Sequence, residues 1–170
     1  SKFTNESEFI TLHSHEECLK SKIKQAKNFR IVEEESNKIQ GKPIVQAING
    51  DFGVIINPPY PPMKSEDLDA TYDLPFTKLP HPKYKGKQIP AYDMIKLSVN
   101  IHRGCFGGCS FCAISAHQGK FISSRSEKSI LNEVKNLMQH PDYKGYLSDL
   151  GGPSANMYRM QGKNIELCSK

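Results

Sequence analysis

Met94-Ile-Lys-Leu-Ser-Val-Asn-Ile-His-Arg-Gly-Cys105-Phe-Gly-Gly-Cys109-Ser-Phe-Cys112 joins a run of alternating apolar residues to three closely spaced cysteines. Ile95, Leu97, Val99 and Ile101 fall on alternate positions, which predicts a strand over 94–101 with the cysteine loop at its end. The C-x3-C-x2-C spacing supplies three thiolates, one fewer than a closed four-ligand site needs. A [4Fe–4S] cluster held by Cys105, Cys109 and Cys112 keeps one iron open for a substrate or cofactor. Gly107 and Gly108 allow close approach of the backbone, and their amides suit hydrogen bonding to cluster sulfurs.

Downstream, Ser126 is placed to cap a helix to about Gln139, with the apolar stripe Ile130, Leu131, Val134, Leu137 and Met138. Pro141 ends it. Tyr146–Leu150 reads as a short strand broken by Gly151-Gly152-Pro153. Residues 94–150 thus spell one βαβ unit, expected as a right-handed parallel crossover. A loop at the C-terminal end of a parallel strand is where barrel-like α/β folds place their chemistry.

Upstream, Ser14 and Glu17 form a capping-box pattern ahead of a helix from about His15 to Lys38, with Cys18, Ile23, Ala26, Phe29, Val32 and Ile39 as its stripe. Gly41 and Pro43 stop it. Pro43–Ile48 and Asp51–Ile56 flank Asn49-Gly50, a strong hairpin signal. Asn57-Pro-Pro-Tyr-Pro-Pro62 reads as a rigid extended connector, Ser65 as the cap of a short helix over 66–72, and residues 73–90 as loop. The fold class is therefore α/β. An N-terminal helix, hairpin and Pro-rich connector (1–93) precede a second region (94–170) that begins with this βαβ unit.

The 170 residues are 37% apolar, with 11 prolines and 12 glycines, so a modest core and much irregular structure are expected. No apolar run approaches the roughly 20 residues of a membrane helix, and Ser1–Ser14 does not read as a signal peptide. A cytoplasmic protein without membrane partners follows. The net charge of +5 sits mainly in Lys20–Arg30 and Lys78–Lys87. The first stretch alternates with apolar positions and leads into Glu33-Glu34-Glu35, a solvated helix face rather than a nucleic-acid surface. Five cysteines, three of them clustered, argue against a secreted disulfide framework. Cys18 reads as a small core residue and Cys168 as an incidental thiol.

Ser98–Cys112, His117-Gln-Gly119, Ser124-Arg-Ser-Glu127 and Asp149–Tyr158 resemble the YgiQ-type radical S-adenosylmethionine (radical SAM) proteins, a family whose substrate is uncharacterised. Asn57–Pro62, Tyr72-Asp-Leu-Pro75 and His81-Pro-Lys-Tyr84 are similar to that family too. The resemblance implies that Cys105, Cys109 and Cys112 bind the cluster and that Phe111 lies near the adenine of S-adenosylmethionine. Gly151-Gly152 fall where the superfamily's Gly-Gly-Glu segment meets the methionine amino group, with Pro153 here in place of the acid. It also implies reductive cleavage of S-adenosylmethionine to a 5′-deoxyadenosyl radical, with the electron from a donor such as flavodoxin or ferredoxin. The superfamily's partial barrel has about six strands, so this chain reads as a piece ending soon after the second, without turnover in isolation.

The competing reading is a zinc-stabilised binding module without catalysis, with His102, His117 or Cys168 as a fourth ligand. Arg125, with a cofactor carboxylate as one candidate partner, and Asp149, with ribose hydroxyls, complete the candidate residues.

Overall fold

The computed structural model describes residues 9–153 and 155–162. They divide into two compact units, one formed by residues 9–61 with Gly162 and one by Pro62–Gln161.

In the first unit, β1 (Ile10–Thr11) pairs in parallel with β2 (Ile44–Asn49), which pairs antiparallel with β3 (Phe52–Ile56). The Asn49-Gly50 hairpin forms as expected, with an irregularity between Ala47 and Asn49 that leaves Asn49 opposite Phe52. The single long helix expected over 15–38 is instead two, α1 (His15–Lys20) and α2 (Lys22–Ser36). The capping box at α1 is present: Glu17 N–H donates to Ser14 Oγ at 3.2 Å, and Ser14 N–H to Glu17 Oε2 at 2.9 Å. The break falls at Ser21, which is extended and accepts from Lys24 N–H as the cap of α2. Nor is the expected apolar stripe the inward face of α2. Ile23 and Phe29 are exposed, while Asn28 and Glu35 are buried. Asn28 accepts from His13 N–H and donates to His13 O, both at 2.9 Å, satisfying the backbone ahead of α1. Glu35 takes Lys42 N–H at 2.9 Å and closes the turn after α2.

In the second unit, α3 (Ser65–Tyr72) leads through a 3-10 turn (Pro82–Tyr84) to α4 (Pro90–Ile95), then β4 (Ser98–Asn100) and β5 (His102–Arg103). After these come α5 (Ile114–Gln118), β6 (Ser123–Ser124), α6 (Glu127–Leu137) and β7 (Asp149–Gly151). The expected strand over 94–101 is thus shorter. Pro90 occupies the first turn of α4, where its missing N–H costs nothing, and the helix takes Met94 and Ile95. Ile95 is accordingly exposed, while Leu97, Val99 and Ile101 are buried together with Ile130 and Leu137. Val134, Tyr143, Leu147 and Tyr158 pack on that core. Leu131 and Met138 of the expected stripe face solvent.

The parallel pairing between the two strands holds, with Ser98, Val99 and Asn100 opposite Asp149, Leu150 and Gly151. The second strand starts three residues later than the expected Tyr146–Leu150 and ends one later, at Gly151. Beside it, β5 and β6 form a two-stranded antiparallel ribbon, His102 opposite Ser124 and Arg103 opposite Ser123. Ser126 caps α6 through Ser129 N–H at 3.1 Å. Ser65 caps nothing: it is the first residue of α3, and its Oγ donates to Ser124 O at 2.8 Å.

Candidate functional site

The cysteine loop hangs from the ends of β4 and β5. Ile101 N–H donates to Gly151 O at 2.9 Å, continuing the ladder one residue past the last paired strand positions. At Gly104 φ is +90°, and a Cβ there would lie 2.0 Å from Phe121 O, so only glycine fits the turn into the loop. Cys105 N–H donates to Gly119 O at 3.0 Å and Gly104 N–H to Gln118 Oε1 at 3.4 Å, which ties the loop's start to the end of α5.

Cys105 is buried, Cys112 half-buried and Cys109 exposed, and all three are thiols. A Cβ placed on Gly107 would lie 3.4 Å from Cys105 Sγ, 3.7 Å from Cys109 Sγ and 3.8 Å from Met157 Cε. Gly107 N–H itself donates to Cys105 Sγ at 3.5 Å. Cys112 N–H donates to Cys109 O at 3.0 Å, closing a turn that leaves Phe111 91% exposed at its tip.

Three soft thiolates on one short loop, with a backbone amide donating to sulfur, fit an iron–sulfur cluster in donor chemistry. Two of the sulfurs already flank Gly107. Cys112 stands at the other end of the Cys109–Cys112 turn, and among the described residues no three His, Cys, Asp or Glu side chains converge as a metal-holding group.

His102 is wholly buried. Its Nε2 accepts Met157 N–H at 3.1 Å, and a Cβ on Gly152 would lie 1.9 Å from Nε2 and 2.2 Å from Cε1. Gly152 is therefore glycine because the imidazole occupies the space a side chain would need. Burial holds the His102 pKa below its ordinary value, against the opposing influence of the Arg103 and Ala155 backbone. That lowering favours the neutral imidazole, the form in which Nε2 can accept, and Nδ1 is buried on the other side of the ring.

Arg125 is 1% exposed and its guanidinium is fully engaged. Nη1 donates to Asn100 O at 2.9 Å and pairs with Glu133, Nη2 donates to Ser129 O and Oγ, and Nε donates to Ser129 Oγ. The Tyr72 ring lies 3.9 Å away on its face. Arg125 thus knits α3, β4 and α6 together. Glu133 also pairs with Lys78. Sequence reasoning missed Glu133, Tyr72 and Met157. For Glu133 a signal existed: it falls at helical spacing between Ile130 and Leu137, an acid on the inward stripe of α6. His117 and Asp149 are exposed.

A family model described as "Radical SAM N-terminal" matches residues 1–98. The chain belongs to this family. It is similar to UPF0313 proteins over nearly its whole length. It is 68% identical to one from Bacteroides thetaiotaomicron (99% of this chain, 27% of that protein) and 61% identical to one from Porphyromonas gingivalis (94% and 25%). Its identity to the UPF0313 protein YgiQ of Escherichia coli is 45%, over 94% of this chain and 22% of that protein. This radical SAM N-terminal chain spans about a quarter of the length of these curated relatives. No solved structure matches it. Among its described residues no helix is long and apolar enough to cross a membrane.

Proposed function

We propose that this chain carries the cluster loop of a radical SAM enzyme. Cys105, Cys109 and Cys112 would hold a [4Fe–4S] cluster, with an iron left open to S-adenosylmethionine. The observation that carries the reading is the placement of the three thiols: one loop, at the end of a parallel strand, with two sulfurs flanking Gly107 and its amide donating to one of them. A cluster held there would supply the low-potential electron for reductive cleavage of a carbon–sulfur bond of S-adenosylmethionine.

The chain's own residues do the positioning. Gly104 and the Gly119 carbonyl fix where the loop begins. Gly151 O keeps one lone pair beyond the Ile101 bond, available to an ammonium donor such as that of the methionine moiety. Phe111, at the tip of its turn, presents a ring face that an adenine can stack on. The strands that complete a barrel and select a substrate would lie in the larger part of the family's length, and a flavodoxin or ferredoxin would deliver the electron in the cytoplasm.

The test is anaerobic reconstitution with iron and sulfide, followed by electron paramagnetic resonance of the reduced protein with and without S-adenosylmethionine. A four-iron signal that shifts on adding S-adenosylmethionine supports the reading. Stoichiometric zinc in a colourless protein that takes no cluster replaces it with the structural-module reading.

A further inference from the structure

We propose that His102 is a positioning residue that sets how closely Gly151-Gly152 and Met157 stand against the cysteine loop. The imidazole is in contact with three parts of the chain. It sits on β5, three residues before Cys105. One ring edge lies where a Gly152 side chain would be, so the ring's thickness fixes the path of the chain leaving β7. Its Nε2 takes the Met157 N–H, which anchors the returning segment. Met157, itself buried, points its methyl towards Gly107, the residue flanked by the Cys105 and Cys109 sulfurs.

The ring is therefore a spacer between the second strand's Gly-Gly end and the sulfur-bearing loop. Burying a polar ring costs free energy that an apolar residue would avoid. The acceptor at Nε2 and the flat shape against Gly152 are what imidazole offers in exchange. Its functional consequence, correct spacing between the open iron and the Gly151 carbonyl, rests on the function proposed above. The spacing itself does not.

The experiment measures alkylation of Cys105 relative to Cys109 in the metal-free 170-residue chain, with circular dichroism to follow the fold. His102→Ala and Gly152→Ala should each speed Cys105 alkylation about tenfold while leaving exposed Cys109 unchanged. The double variant should be less than multiplicative, because the new methyl group enters space the ring has left. His102→Gln, which keeps an acceptor for Met157 N–H, should fall between wild type and His102→Ala. Unchanged Cys105 rates, or strictly multiplicative effects in the double variant, overturn the proposal. If the alanine variants unfold, His102→Gln decides it: a wild-type rate in a folded chain counts against the spacer, a raised rate supports it. A wild-type chain that takes up no iron would remove the cluster reading and leave these rates to decide His102 independently.

Discussion

Removing the Glu133 carboxylate should destabilise the second unit far more than removing Lys78, although both belong to one ion-pair chain. The Arg125 side chain is 1% exposed and the Glu133 side chain 9%, so Glu133→Leu leaves a positive charge buried with neutral partners alone. Such a stranded charge costs about 3–5 kcal/mol. The Lys78 side chain is 30% exposed and can turn to water, so Lys78→Met should cost about 1 kcal/mol or less. With about 4–8 °C lost per kcal/mol in a unit of this size, Glu133→Leu should lower its melting temperature by at least about 12 °C. Lys78→Met should move it by about 8 °C or less. Circular dichroism melts and urea titrations at fixed ionic strength measure both. Equal costs for the two variants, or a Glu133→Leu within about 0.5 kcal/mol of wild type, would refute the argument, because the guanidinium would then have reached solvent.

Three further outcomes are expected. The Glu17 carboxyl pKa is pulled down to about 2, chiefly by the Lys24 ammonium and then by the Ser14 amide. A carboxyl depressed from 4.5 adds stability that is fully present above that value and lost as pH falls towards 2; Lys24→Met should return the pKa towards the ordinary range in an NMR titration. Gly104→Ala places a methyl 2.0 Å from Phe121 O at positive φ, so it should cost at least about 2 kcal/mol and lower iron uptake on reconstitution. The isolated chain, loaded with cluster and supplied with reductant, should form no 5′-deoxyadenosine by chromatography.

Local chemistry made some of this fold legible. Ser14 with Glu17, Ser126, and Asn49-Gly50 each act through hydrogen bonds or torsions within a few residues, so sequence alone carries them. The parallel pair was readable because Leu97, Val99 and Ile101 alternate without interruption. That same alternation misplaced the strand's start, since Met94 and Ile95 extend the pattern while Pro90 has already opened a helix. Two-residue strands such as β5 and β6 are too short to show any period. The inward face of α2 was illegible because it is polar: Asn28 and Glu35 turn inward to serve backbone groups on either side of the helix pair. At the candidate site the three cysteines declared themselves by spacing. The imidazole filling Gly152's side-chain space did not, because residues fifty apart meet only once β4 and β7 have paired.

The entrance to α6 is built largely from residues far earlier in the chain. Asp69 Oδ1 takes Ser126 N–H at 2.9 Å, Ser65 Oγ holds Ser124 O, and Tyr72 lies on Arg125. A peptide beginning at the strand before the cysteines would lack all three contacts and uncover the face of the Arg125 guanidinium that Tyr72 covers. The entrance to α6 is, in mechanical terms, a keystone set by a helix more than fifty residues upstream. Transplanting α6 with its entrance to another scaffold would mean carrying residues 65–72 with it.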